Sequence, residues 1–485
     1  MKQRKIYFDS GAQGLLLLLM LSQLFFSNAI YLTIGALVFG FMISRLQIPY
    51  KPSIFTLIFL YHFLQISAWV WMVNYMGVDI DFKSPHSGLA VLLAYLGLMV
   101  LMGPVIYFND KLPNVSFAML KKHAEKLSTR KTFIVYVIAF FSMNALGAVA
   151  FSFAGLTQII YSLVNIKWFF FLLFGFQVII KKKMIREFVI FVGIEFGLGF
   201  FSFFSDFKTV FLFLACLFLT FLVKVTLKQL SVAVVGVIFV TFMGITWTAI
   251  KGDYRSFLNA GSKTQTVQVS QSAAFDKLLE LSEQEKDTSA AISFFERLQY
   301  TWHIAKAMDH VPSVVPYQDG ANWWESITFA LTPRYFNPDK PMYEASKKAT
   351  KYTGIQYLGS SHGVSFSLGY FADGYVDFGY FGMFIPLFFI GLAYGISYFY
   401  FLKHSSNNLI FNYAVVGALF MEFCALEMDS TYFAGRFFSD LLTFFVLRLF
   451  LFPGLIKYLA NDQALTRKNN KRNASERTEK DVPSE

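Results

Sequence analysis

The segment 332–341, TPRYFNPDKP, concentrates charge and proline in an otherwise apolar chain. Arg334 carries a planar guanidinium that can donate two parallel hydrogen bonds to a carboxylate or phosphate group. Lys340, between Asp339 and Pro341, adds a point charge. Because proline restricts the backbone, the segment holds both cations with less conformational freedom to lose on binding. We therefore predict an anion-binding site centred on Arg334, with Lys340 beside it.

Three further arginines fall in segments for which we predict the same side of a membrane as Arg334. These are Arg255, Arg297 and Arg436. Each can extend the anion-binding site. The first two also have structural alternatives, since Arg255 can anchor the end of a membrane span and Arg297 can form an ion pair with Glu296 or Asp309 inside a helical domain.

Three residues are candidates for a general base. His362 lies among small residues in GSSHGVS, and an imidazole with an ordinary pKa near 6.5 is suited to proton abstraction. Asp373 and Asp377 flank the start of the apolar segment 376–402, where partial burial raises the pKa of a carboxylate towards a useful value. Either group can instead cap a helix or hydrogen-bond within the loop, so the sequence leaves the choice of base open.

The elements that position these residues follow from composition. The chain is 55% hydrophobic and only 15% charged, and it contains 60 Phe among its 485 residues. That much apolar surface is typical of a bilayer protein rather than a soluble one. The apolar runs are continuous rather than alternating, which indicates helices. We predict an all-α, polytopic (multi-pass) membrane protein.

Runs of roughly 17–25 apolar residues are long enough to cross the hydrocarbon core. About twelve occur. They cover 11–26, 28–44, 53–76, 87–108, 132–153, 157–180, 187–205, 207–223, 231–250, 376–402, 409–427 and 437–457.

The basic residues predict the orientation of these spans, because cytoplasmic loops are enriched in Lys and Arg. Clusters such as 181–186, KKKMIR, fall in alternate loops, and the loops between them contain few cations. Both termini are therefore predicted to be cytoplasmic. The net charge of +11 is explained by topology, and no nucleic-acid partner is needed to account for it.

The predicted spans divide the chain into four parts. Residues 1–250 form a membrane domain of about nine spans, 251–375 a large extracytoplasmic loop domain, and 376–457 a membrane domain of about three spans. Residues 458–485 form a polar tail that we expect to be disordered and cytoplasmic. A loop as long as 251–375 is typical of a functional segment.

Within the loop, apolar residues at three- and four-residue intervals predict helices over 272–286 and 291–309. From Pro312 to Pro341 the prolines disfavour regular helix. The segment 354–382 is rich in Gly, Ser and aromatic residues, which allow backbone and rings to line a groove closely.

The order of features over 297–382 resembles the oligosaccharide repeat-unit polymerase group of the O-antigen polymerase (Wzy) family. Members typically carry a PR-x-x-x-P-x-KP segment in a large outward loop, followed by an aromatic Y-x-(N/D)-F-G-x-x-G segment that enters the next helix. The matching residues here are Pro333, Arg334, Pro338, Lys340, Pro341, Tyr375, Asp377, Phe378, Gly379 and Gly382.

The resemblance implies a glycosyltransferase in the bacterial cytoplasmic (inner) membrane. Such an enzyme joins undecaprenyl-diphosphate-linked oligosaccharide repeat units into O-antigen of lipopolysaccharide, capsule or exopolysaccharide on the outer face. It further implies a chain-length regulator and a flippase as partners. In this scheme the arginines and Lys340 bind the diphosphate, and His362, Asp373 or Asp377 accepts the proton of the acceptor hydroxyl.

No cofactor or catalytic metal is expected, because the sequence contains neither an H-E-x-x-H motif nor a Gly-rich phosphate loop. Two other functions stay open. An O-antigen ligase-type lipid-to-glycan transferase would share the loop and the arginines. A lipid-linked oligosaccharide flippase or transporter would share the spans, although the uneven division into nine and three spans differs from the usual pair of similar halves.

Overall fold

A computed structural model describes residues 6–148, 157–201, 207–261, 267–283, 289–332, 337, 339–341, 343–359 and 365–461. The protein is all-helical, with 78% of the described residues in helix. Within the described residues, Tyr7–Phe8 pairs in parallel with Lys224–Val225 as a two-residue sheet. The prediction of an all-α fold is therefore confirmed.

The first half of the chain contains the helices α1 to α11. They are α1 (Ser10–Ser22), α2 (Ala29–Leu46), α3 (Ile54–Met76), α4 (Ser87–Asp110), α5 (Phe117–Glu125), α6 (Thr129–Ala148), α7 (Thr157–Val164), α8 (Ile166–Lys181), α9 (Ile185–Phe201), α10 (Phe207–Thr220) and α11 (Leu227–Leu258).

The segment after α11 is also largely helical, and the final part of the chain returns to long apolar helices. They are α12 (Gln271–Glu283), α13 (Ser289–Leu298), α14 (Thr301–His310), α15 (Ala321–Leu331), α16 (Ala345–Thr353), α17 (Tyr370–Gly382), α18 (Phe384–His404), α19 (Leu409–Phe420), α20 (Ser430–Phe450) and α21 (Phe452–Leu459).

Six helical segments in the described part of the chain are long and apolar enough to cross a membrane. They are α2, α3, α4, α7 with α8, α11 and α18; the pair α20 and α21, bent by 58°, makes a seventh if it counts as one span. Every predicted span overlaps a helix. Several of these helices, such as α1, α10 and α19, are apolar but shorter than a full crossing.

The helices predicted in the long loop are confirmed with one change. The segment 291–309 is two helices, because the Tyr300 amide donates to the Gln65 carbonyl of α3 (3.1 Å) and the Gln299 side chain accepts from the Trp302 amide (2.9 Å). These bonds end α13 and start α14.

The expectation that regular helix is absent from Pro312 to Pro341 is wrong for α15. The prolines stand at 312, 316, 333, 338 and 341, so they flank the helix rather than interrupt it. In the segment 354–382, which was expected to line a groove, the residues from Tyr370 onwards form the helix α17. Gly379 breaks the helical geometry of α17 with φ 70° and ψ −162°, a conformation that is essentially restricted to glycine.

The ends of three predicted segments also differ. The ninth apolar run continues to Leu258, so Arg255 lies on a helix rather than in a loop. The last long apolar helix starts at Ser430, so Arg436 is also helical. In the predicted tail, α21 extends to Leu459, and residues 462–485 lie outside the described part of the chain.

The chain forms two compact units. The first comprises Met1–Pro113, Gly193–Ser397 and Phe420–Phe438, and its centre is α3, which is buried along most of its length. The second comprises Asn114–Val192, Tyr398–Leu419 and Ser439–Glu485, where α6 packs on α8. All the predicted site residues that the structure describes belong to the first unit.

Candidate functional site

Helix α15 is held at its N-terminus by a carboxylate from α17. The helix starts after Gly320, which has φ 89° and provides no side-chain cap. Asp377 supplies the missing acceptors: its two oxygens accept from the backbone amides of Asn322 (3.2 Å) and Trp323 (2.8 Å). A negative charge at this end of a helix is favourable because the first amides are unpaired and the helix dipole is positive there.

The other end of α15 is held by Lys340. Its ammonium donates to the carbonyls of Phe329 and Thr332, the latter at 2.9 Å, and lies 3.9 Å from the centre of the Phe329 ring. A cation is favourable at a helix C-terminus. Lys340 of the PR-x-x-x-P-x-KP segment and Asp377 of the Y-x-D-F-G-x-x-G segment therefore bond to opposite ends of one helix.

Asp373 lies one turn before Asp377 on α17 and is completely buried. Its carboxylate accepts from the Lys348 ammonium (3.0 Å), the Ser430 amide (2.6 Å) and the Asn322 side-chain amide (3.1 Å). Lys348 belongs to α16, and its side chain is only 10% exposed. One carboxylate thus joins α15, α16, α17 and the start of α20.

A third carboxylate, Asp429, caps α20. It accepts from the amides of Thr431 (3.1 Å) and Tyr432 (3.0 Å) and from the Tyr343 hydroxyl (2.6 Å). The Lys348 ammonium also donates to the Ser430 hydroxyl (2.8 Å) at the first position of the helix. We name Asp373, Asp377, Asp429 and Lys348 the carboxylate cluster.

The charges of the carboxylate cluster do not balance, since three carboxylates face one ammonium. Burial, together with the charge of Asp373, raises the pKa of Asp377 to about 6, against the opposing effect of the two amide hydrogen bonds. Burial also raises the pKa of Asp429, and Asp373 adds to the shift while Lys348 opposes it. The cluster is therefore able to take up a proton as the pH falls towards 6.

Asp373 and Asp377 were predicted as candidate bases or as capping groups. Both are fully buried. Their partners are backbone amides at helix starts, the Asn322 side chain and the Lys348 ammonium. Their position corresponds to the capping alternative, and the raised pKa of Asp377 has the direction expected for a carboxylate beside an apolar segment. His362, the other candidate base, lies outside the described residues.

The predicted anion-binding residues occupy several elements of the first unit. Arg255 is half-buried near the end of α11, and Arg297 is exposed in the last turn of α13. Arg436 forms an ion pair with Glu422 (3.4 Å). Arg334 lies outside the described residues, so the structure does not test whether it converges with Arg255 and His362.

The anticipated structural partners of Arg297 have other contacts. Glu296 pairs with Lys83, and Asp309 pairs with Lys306 (2.9 Å) and with His86 (2.8 Å). Although Arg297 is exposed at the surface, partial desolvation by the surrounding protein lowers its pKa, and the charge of Glu427 acts in the opposite direction.

A family model described as a domain of unknown function, DUF8712, matches residues 89–420, which is more than half of the chain. The chain belongs to this family. The DUF8712 match starts in α4 and ends with α19, so it includes the whole of α12 to α17, whereas Asp429 and α20 follow it. No curated protein and no solved structure matches the sequence.

In this DUF8712 protein, sequence reasoning missed Lys348, Asn322 and the capping role of Asp429. A signal for Lys348 is present in ASKKATKYT. Lys348 shares one helix face with Ala345, Ala349 and Tyr352, all of which are buried, whereas Lys347 lies off that face with its side chain 83% exposed. A lysine on the apolar face of a short helix predicts a buried ion pair.

Proposed function

We propose that this DUF8712 protein is a glycosyltransferase that polymerises undecaprenyl-diphosphate-linked oligosaccharide repeat units. In the proposed topology about twelve spans cross the bacterial cytoplasmic membrane, both termini are cytoplasmic, and 251–375 lies outside. The six candidate spans support a multi-pass membrane protein, and the segment between α11 and α18 is largely helical.

One observation carries the proposal. The two sequence segments that resemble the polymerase family are joined through α15, because Asp377 caps its first turn and Lys340 its last. The bond from Lys340 to the Thr332 carbonyl closes the nine-residue segment 332–340, within which Arg334 falls in the sequence. Because the two ends of this segment are held together, Arg334 loses less conformational entropy when it binds a ligand.

The proposed chemistry needs cations for a departing diphosphate and an acceptor for the hydroxyl proton. We propose Arg334 as the main diphosphate ligand, with Arg255, Arg297 and Arg436 as further cations. His362 is the proposed base, and Asp373 and Asp377 position the loop through α15. Lys340 then acts by fixing α15 rather than by binding the ligand directly.

The test is a reaction of the purified full-length protein in lipid vesicles with a defined undecaprenyl-diphosphate repeat unit. We expect a ladder of chain lengths that Arg334→Ala abolishes and Lys347→Ala, a change at an exposed cation, leaves intact. A normal ladder from Arg334→Ala would remove the proposed site.

The same reaction separates the alternatives. Transfer of one intact glycan to a different acceptor, without a ladder, would identify a ligase-type transferase. Movement of the lipid-linked unit across the vesicle membrane without a new glycosidic bond would identify a flippase.

A further inference from the structure

Helix α15 buries two of its polar residues and exposes two of its large apolar ones. Asn322 and Ser326 are 7% and 3% exposed and bond to groups of the carboxylate cluster and α20. On the opposite face, Trp324 is 69% and Leu331 53% exposed. Seven residues is close to two helical turns, so these two side chains lie on the same side. A helix in water has the reverse arrangement.

The polar group on the exposed face is satisfied within the helix. The Thr328 hydroxyl, between Trp324 and Leu331, donates towards the carbonyls of Trp324 (2.9 Å) and Glu325 (3.0 Å). A hydroxyl that bonds back to its own helix does not require water. Glu325, about 100° further round the helix, marks the edge of the apolar face.

This face continues into the surface of a candidate membrane span. Phe381 is 82% exposed at the end of α17, and Ile385 and Phe389, each four residues further on, are 52% and 60% exposed on α18. Phe378, one turn before Phe381, lies against Gly320, the residue that precedes α15. The exposed apolar side chains therefore run from α18 past the end of the span towards α15.

We infer that α15 lies in the membrane interface, with the Trp324–Leu331 face against the acyl chains of bilayer lipids. Trp is enriched at this depth because its ring is apolar and its N–H is polar. Lipid chains cover exposed aromatic groups that would be unfavourable in water. The carboxylate cluster then lies on the protein side of an interfacial helix. This inference needs the membrane spans and does not depend on the proposed polymerase activity.

Spin labels test the inference in the full chain reconstituted in phosphatidylcholine and phosphatidylglycerol vesicles. Trp324→Cys and Leu331→Cys carry the label on the apolar face, and Glu325→Cys is the matched control at its edge. The native Cys216 and Cys424 are 1% and 4% exposed and so are poorly accessible to the reagent. Collisions with oxygen, which partitions into lipid, are compared with those of a water-soluble nickel chelate.

We expect the ratio of oxygen to nickel collisions to be several-fold higher at 324 and 331 than at 325. Equal nickel access at all three positions would place the helix in water and overturn the inference. Exclusion of both reagents from 324 and 331 would show that protein covers the face, and would overturn it as well. If Trp324→Cys does not fold, Leu331→Cys gives the same comparison.

Discussion

Replacing Lys348 by Met is expected to destabilise the protein strongly, because it removes the ammonium that faces three carboxylates. Met has a similar volume, so packing is little changed. Asp373 would remain fully buried with the Ser430 amide and the Asn322 side chain as donors, but without a counter-ion. Breaking one side of a buried ion pair costs about 3–5 kcal/mol. The two remaining donors put the expected loss near 3 kcal/mol.

The measurement is a double-mutant cycle on reversible unfolding in mixed detergent micelles. Lys348→Met, Asp373→Asn and the double variant are compared with the parent protein. Because the two residues are in direct contact, we expect the double variant to be more stable than the sum of the single losses predicts, by about 1–3 kcal/mol.

Lys347→Met is the matched control. The Lys347 side chain is 83% exposed. Within the described residues it forms one ion pair, with Glu344, three residues earlier in the chain. We expect Lys347→Met to change the free energy of unfolding by no more than about 0.5 kcal/mol. The reasoning fails if Lys348→Met lowers the free energy of unfolding by no more than Lys347→Met does. It also fails if the losses from Lys348→Met and Asp373→Asn add, within about 0.5 kcal/mol, to the loss in the double variant.

Three further outcomes are expected. The pKa of Asp377 is raised from 3.8 to about 6 in the folded protein. The stabilisation that comes from protonating Asp377 is therefore fully present below pH 3.8 and is lost as the pH rises through 6. At about 1.4 kcal/mol per pKa unit, this stabilisation amounts to about 3 kcal/mol. Asp377→Asn should flatten the corresponding slope in unfolding free energy, and an unchanged slope would exclude this residue as its source. Gly379→Ala should cost about 1–3 kcal/mol, because φ is 70° and a Cβ would lie 3.1 Å from the Tyr317 ring, whereas Gly236→Ala in open space on α11 should be neutral or stabilising. Lys340→Met should increase hydrogen exchange of the last amides of α15 by roughly tenfold, since a charged hydrogen bond contributes about 1.5 kcal/mol or more; unchanged exchange would show that Lys340 does not hold this end.

The helices could be predicted from sequence because a long apolar run has few alternatives to a helix in a bilayer. Their ends could not, since they depend on single capping contacts. The start of α14 at Thr301 follows from a bond between Tyr300 and Gln65, which are distant in sequence. Likewise α15 was missed because the flanking prolines dominate the local pattern, although none lies inside it.

The candidate site was predicted in residue type but not in arrangement. A carboxylate followed by an apolar segment identified Asp373 and Asp377 as unusual. Their partners are Asn322 and Ser430, 51 and 57 residues away from Asp373, and no local pattern specifies such pairings. The sequence therefore indicated where ionisable groups approach the apolar region. The structure adds that these carboxylates accept hydrogen bonds from the first amides of helices and, for Asp373, from Lys348.

The uninterrupted length of α11 links the bilayer to the helices that follow it. Its 32 residues extend about 48 Å, against a hydrocarbon thickness of about 30 Å. Tyr254 and Leu258 at its far end pack with Ala274 and Leu281 of α12. A rigid rod longer than the membrane adapts to a thinner or thicker bilayer by tilting. Because α12 packs against the end of this rod, lipid chain length becomes a variable that can shift α12.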